Sequence, residues 1–160
     1  ELIGEAKRLR FDLRLKTNAL LVTEERARCL RELGVRQVDV SIYSVDPAIH
    51  DAVTKIPGSL ARSLAGIERL IALGVRVKIN CPLMRSNVGG YRAVRALAER
   101  LGVPCGFDPM ISARNDGDTG PMLLRIGRAD LRRVLGDPVL NPEPLPVTSP
   151  EGRSWSNATW

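Results

Sequence analysis

The chain has 160 residues, with 24 Lys and Arg against 18 Asp and Glu, a net charge of +6, and 44% hydrophobic and 26% charged residues. That length suits one domain around one core, and the composition is ordinary for a globular chain. No run of 18 or more apolar residues could span a bilayer, and with aromatic residues at only 4% the scattered arginines form no basic stripe with stacking rings, which argues against direct nucleic-acid binding.

The first segment, ELIGEAKRL, places Leu2, Ile3, Ala6 and Leu9 on one side of a helix, so the chain reads as an excerpt that opens inside a helical element. FDLRLKTN at 11–18 then reads as a strand. A helix over TEERARCLREL follows, with Thr23 as N-cap and Glu24 and Glu25 in its first turn. A second strand spans about 37–43, and a long loop, 44–59, leads to a helix in SLARSLAGIERLIAL. A third strand at about 75–82, a helix in YRAVRALAERL and a fourth strand at about 105–111 complete the series. Leu33-Gly34-Val35, Leu73-Gly74-Val75 and Leu101-Gly102-Val103 repeat one junction: a glycine that ends a helix, then a β-branched residue that starts extended chain. Strand and helix in alternation predict right-handed crossovers and a parallel sheet. A polar loop follows at 112–122 and a short helix near 127–135. The domain is expected to cover 1–136, and Pro138, Pro142, Pro144, Pro146 and Pro150 predict a linker or disordered tail over 137–160, which also holds Trp155 and Trp160.

All four strands alternate. Phe11, Leu13 and Leu15, then Val38, Val40 and Ile42, then Val75, Val77, Ile79 and Cys81, then Cys105, Phe107 and Ile111 make an apolar side. Asp12, Arg14, Lys16 and Asn18, then Asp39, Ser41 and Tyr43, then Arg76, Lys78 and Asn80, then Gly106, Asp108 and Met110 make the opposite side. A doubly wound sheet would bury those polar rows under helices at high cost. A barrel or partial barrel keeps its helices outside and leaves the polar rows facing a ligand, water or one another. The alternation therefore predicts an α/β fold, a partial (β/α) barrel of four parallel strands with outer helices. The polar rows can neutralise themselves, Asp12, Asp39 and Asp108 against Arg14, Arg76 and Lys78, or they can hold a ligand. Ligands in such folds meet the carboxyl ends of the strands, where the loops 44–59 and 112–122 lie, and Arg114 is there a candidate for a substrate anion.

Cys29, Cys81 and Cys105 are far apart and His50 is the only histidine, so no metal site is expected from this chain alone, and each thiol is expected to act as a small buried apolar group. A sparse, odd cysteine count without a secretory signal fits a cytoplasmic protein. His50 is expected to cap or pack within the 44–59 loop. Asn157-Ala158-Thr159 matches a glycosylation sequon by coincidence.

Four pieces in order resemble the radical S-adenosylmethionine (SAM) enzymes, in particular those with a cysteine-rich auxiliary-cluster (SPASM-type) extension. LKTNA at 15–19 resembles a third-strand TNG motif, and VSIYS at 40–44 resembles the fourth-strand ribose motif. HDAVTKIPGS at 50–59 resembles the HDxxxGxPGS lead into the next helix, and DPMISARNDGD at 108–118 resembles the segment after the sixth strand. The resemblance implies that the four strands are strands three to six of a six-stranded barrel. It implies SAM binding by Ser41 near the ribose, with Lys16 and Asn18 near the methionyl or adenosyl part. Tyr43, Lys78 and Asn80 would line the same cavity, with Asp108 and Arg114 towards substrate. It further implies reductive cleavage of SAM at a [4Fe–4S] cluster to a 5′-deoxyadenosyl radical, acting on a peptide or small-molecule substrate. The chain departs from the pattern in places: it has no CxxxCxxC cluster loop, no cysteine after Cys105, and Ala19 where the motif has Gly. Two other functions fit the residues: a non-catalytic module that binds SAM or another nucleoside, and a (β/α)-barrel lyase or aldolase that uses Lys16 or Lys78 as a Schiff-base nucleophile.

Overall fold

The computed structural model describes residues 2–138 and 140. Helix α1 (Leu2–Arg8) leads into strand β1 (Arg14–Thr17), followed by α2 (Glu24–Glu32), β2 (Gln37–Ser41), α3 (Pro47–Thr54), α4 (Ser59–Ala72), β3 (Val77–Pro82), α5 (Tyr91–Arg100) and β4 (Cys105–Asp108). Short 3-10 turns lie at Val88–Gly90 and Gly120–Leu124. Residues up to Ile126 form one unit, and Gly127 opens a second, in which α6 (Arg128–Leu135) carries an Arg133–Asp130 ion pair of 2.6 Å. Of the expected tail, all but residues 137, 138 and 140 lies outside the described residues, as do Trp155, Trp160 and the sequon.

The three repeated junctions close their helices as their sequence predicts. Gly34, Gly74 and Gly102 have φ of 63°, 69° and 66°. In each, the glycine N–H reaches back to Arg31, Ile71 or Glu99, and the following valine N–H to Leu30, Leu70 or Ala98. This paired closure satisfies the last helix carbonyls and turns the chain into the next strand. The same closure ends α1 without glycine. Arg10 has φ 62°, its N–H bonds to Lys7 and the Phe11 N–H to Ala6. Phe11 therefore belongs to a helix stop, 59% exposed, and β1 begins three residues later than the alternation suggested.

The sheet order is β1-β2-β3-β4 and every pairing is parallel. Because each crossover moves one strand further in the same direction, right-handedness puts all the connecting helices on one face. Helices α4 and α5 pack there against β3 and β4, and α2 and α3 pack on α4. Val38, Val40, Ile42, Val77, Ile79 and Cys81 are buried on that side, all at 5% exposure or less. None of the residues on the opposite face is buried. One-sided helices and unreversed strand order exclude the doubly wound alternative and make the sheet an arc of a (β/α) barrel.

Three further readings are corrected. The 44–59 segment is not an open loop: Asp46 accepts from the Ala48 N–H at 2.8 Å, Pro47 occupies the first turn, and α3 follows. The fourth strand stops at Asp108, whose carboxylate accepts from the Met110 N–H at 2.8 Å and turns the chain around Pro109. Cys29 is exposed, unlike Cys81 and Cys105.

Candidate ligand-binding face

Strand register assembles the polar face into rows. Lys16 pairs with Asp39, and Asp39 with Lys78, in one row. Ser41 pairs with Asn80, and Asn80 with Gly106, in the next, towards the carboxyl ends. Pro82 and Asp108 pair beyond them. Neighbouring strands lie about 4.8 Å apart, so each row places its side chains within reach of one small ligand.

These residues do not neutralise one another. Asp12 pairs with Arg36 at 2.5 Å, and Asp39 accepts from the Gln37 amide at 2.6 Å. Among the described residues, Lys16 and Lys78 have no carboxylate partner within 4.0 Å, and the Ser41 hydroxyl and Asn80 amide make no hydrogen bond. Lys78 leans away from Asp39, over β4. A Cβ on Gly106 would lie 3.0 Å from Lys78 Cε and 3.1 Å from Nζ.

The other candidates are engaged locally. Asn18 Oδ1 accepts from the Leu20 N–H at 3.2 Å, and Asp108 is the turn residue described above. Arg114 lies 3.7 Å from Asp118 within its own loop. Tyr43 lies past the end of β2, its ring tilted against that of His50 with centroids 5.5 Å apart.

Buried polar groups behind the face hold the strand ends. Asn87, 2% exposed, donates to the Tyr43 carbonyl at 2.8 Å and the Pro82 carbonyl at 2.9 Å, and accepts from the Met84 N–H at 2.7 Å, joining the ends of β2 and β3. The Ser63 hydroxyl donates to the Asn18 carbonyl at 2.7 Å, and Gly66 lets α4 approach Ala19 so closely that a Cβ would lie 2.5 Å from its carbonyl oxygen. Ala19 itself has φ 57°. The HDAVTKIPGS stretch is a capping cassette. Asp51 accepts from the N–H groups of Gly58 at 2.6 Å and Leu60 at 3.1 Å and from the Ser59 hydroxyl at 2.7 Å, which ties α3 to the start of α4. His50 Nδ1 is 3.0 Å from Ser59 Oγ, and its buried Nε2 makes no hydrogen bond. Burial holds the His50 pKa below its ordinary value, opposed by Asp51 and by the Ser41 backbone, which faces the ring without reaching bonding geometry. Asn87, Ser63 and Gly66 escaped the sequence reading because a buried amide, a helical serine and a helical glycine carry no positional signal.

The described residues contain no group of three or more His, Cys, Asp or Glu able to hold a metal ion. Burial, with the neighbouring Cys105, raises the Cys81 thiol to about 12; burial also raises Cys105 to about 11, against the pull of Arg95 and Lys78. No described helix is long and apolar enough to cross a membrane.

Comparison with known proteins gives a consistent picture. The family described as the Radical SAM superfamily matches residues 1–89. An AdoMet-dependent heme synthase of Nitratidesulfovibrio vulgaris is 33% identical over 88 residues, 55% of this chain and 24% of the relative. A PqqA peptide cyclase of Gluconobacter oxydans is 28% identical over 102 residues, 64% of this chain and 28% of the relative. Streptococcus suis SuiB bound to S-adenosylmethionine superposes with a TM-score of 0.61 at 15% identity, over 82% of this chain and 30% of that one. SuiB is also known bound to the precursor peptide SuiA. The chain thus spans between 24% and 30% of the length of these proteins.

Proposed function

The chain belongs to the radical SAM superfamily, and on that premise we propose that its polar sheet face is the part of an enzyme core that holds SAM against a peptide or small-molecule substrate. The observation that carries this reading is the row structure: Lys16, Ser41, Lys78 and Asn80 share one uncovered face, in register, with their polar groups unpartnered among the described residues. Self-neutralisation would have consumed these groups.

The residues fit SAM. Ser41 offers a hydroxyl to the ribose, Asn80 beside it an amide to the ribose or a neighbouring carboxylate, and Lys16 and Lys78 offer ammonium groups to a carboxylate. Asn18, at the carboxyl end of β1, presents its amide from a backbone fixed by Ser63. Bound SAM would supply hydrogen-abstraction chemistry once it received one electron from the family's [4Fe–4S] cluster. The protein's own contribution is orientation and exclusion of water: the apolar outer layer fixes the strands, and Asn87, Ser63 and the Asp51 cassette fix their carboxyl ends. The [4Fe–4S] cluster associated with the family finds no fitting ligand set among the described residues.

Calorimetric titration of the full-length protein with SAM tests the reading. Ser41→Ala and Asn80→Ala are each expected to weaken binding by about 3–10-fold, the worth of one hydrogen bond, while Arg28→Ala on the outer surface of α2 leaves it unchanged. Wild-type affinity in both inner-face variants would defeat the assignment.

A further inference from the structure

Gly106 stands out on the polar face because it is the one position there without a side chain, and something occupies the room it leaves. The Lys78 tail lies across it, with Cε and Nζ 3.0 and 3.1 Å from where a Cβ would be, and Asn80 Oδ1 is 3.7 Å from the same point. Gly106 pairs directly with Asn80 in the strand register. A lysine on a sheet would ordinarily extend towards solvent or towards a carboxylate beside it. Asp39 is in register with Lys78, yet it is held by the Gln37 amide, and the lysine leans the other way. Its charge still reaches β4, where it works against the upward shift of the Cys105 thiol. Among the described residues this ammonium has neither ion pair nor hydrogen bond.

We propose that Gly106 is a positioning residue: its missing Cβ lays the Lys78 ammonium across the β3–β4 seam beside the Asn80 amide, and the three together form a subsite for a carboxylate. One ammonium matches a singly charged group, and the Asn80 amide adds a donor when it turns Nδ2 rather than the Oδ1 that now faces the seam towards the anion. A phosphate dianion fits less well, because Asp39 and Asp108 are acidic residues on the same face and, among the described residues, Lys78 is the only cation at the seam. The lysine tail takes up the room over Gly106, so its ammonium lies low against the strands rather than out in solvent. The carboxylate comes from SAM itself or from the substrate. This inference rests on the polar face being the SAM cavity, and the two fail in different ways.

The test is calorimetry on the full-length protein with three probes: SAM, decarboxylated SAM, and the monocarboxylate N-acetylglycine added to the SAM-saturated protein. The variants are Lys78→Gln, Gly106→Ala and the double variant. If the carboxylate is that of SAM, wild type prefers SAM to its decarboxylated form by about 10-fold or more, and both single variants lose that preference. If it is that of the substrate, SAM binding is unchanged but N-acetylglycine binding disappears in both. In either case the double variant is no weaker than Lys78→Gln alone, because Gly106 acts only through the lysine. Independent losses that add in the double variant would show Gly106 to be merely structural and overturn the proposal. So would single variants that bind all three probes as wild type does. Wild-type protein that fails to bind SAM at all would instead remove the underlying reading. A Cβ at Gly106 meets only the flexible end of a lysine, so Gly106→Ala is expected to fold, which its circular dichroism and melting curve verify.

Discussion

His50 is expected from the sequence to cap or pack within the 44–59 segment, and it does so, 1% exposed and wedged between Tyr43, Ser59 and Asp51. Its folded pKa is depressed by burial, so the unfolded chain takes up a proton near 6.5 that the folded chain refuses. Stability should therefore fall as pH drops below that value and towards the depressed one. Asp51 adds a second loss at lower pH. Its pKa is held below 3.8 by the Ser59 hydroxyl, the Leu60 and Gly58 N–H groups and His50, against some desolvation, and its contribution fades as pH falls through that depressed value. Denaturant titrations at about pH 7.5 and about pH 5.5 should show wild type weaker in acid, and His50→Gln should shrink that difference. Equal pH sensitivity in both proteins would mean that the ring is not desolvated. Asn87 makes a larger claim. Asn87→Ala strands the Met84 N–H and removes a donor from two carbonyls, which should cost about 3 kcal/mol in the same assay. A cost below about 1 kcal/mol would show that water replaces the amide.

At the scale of elements, legibility followed the residues that have only one conformational use. The three Leu-Gly-Val junctions were readable because a glycine between a helix and a β-branched residue ends the helix, and their φ values near +65° bear this out. Arg10 adopts the same left-handed conformation without glycine, so the end of α1 was invisible and β1 was drawn too long. Helix α3 was missed although Asp46-Pro47 spells an N-cap and a first turn, because only one further turn follows and no apolar stripe marks it. The polar face was legible from strict alternation. What lay beneath it was not, since the contacts of Ser63, Gly66 and Asn87 join segments distant in sequence. Gly66→Ala tests one such contact. The added methyl would collide with the Ala19 carbonyl, backbone rather than a flexible tip, so α4 must shift. The expected destabilisation is about 1–3 kcal/mol, with weaker SAM binding because the Asn18 backbone moves with Ala19. Thermal denaturation and titration together check it, and an unchanged melting temperature would mean that the helix and strand end are less tightly joined than they look.

The first unit, up to Ile126, is an arc of barrel wall, its sheet apolar on the helix-covered side and polar on the other. Strand β1 has a neighbour on one side only among the described residues, and an apolar groove of about 320 Å³ runs beside it, lined by Ile3, Leu15, Leu21, Leu30 and Leu33 among others. The three cysteines are dispersed, and the described residues bring no group of three or more metal-ligating side chains together. The 160-residue chain alone, reconstituted anaerobically with iron and sulfide, is therefore expected to show no iron–sulfur absorbance, and a bound four-iron cluster at ordinary stoichiometry would contradict that expectation. The most direct test is a crystal structure of the full-length protein with SAM. Ligand density should lie on the polar face, within hydrogen-bonding distance of Ser41 and Asn80. Density on the helix-covered side, or anywhere that leaves Lys16, Ser41, Lys78 and Asn80 untouched, would contradict it.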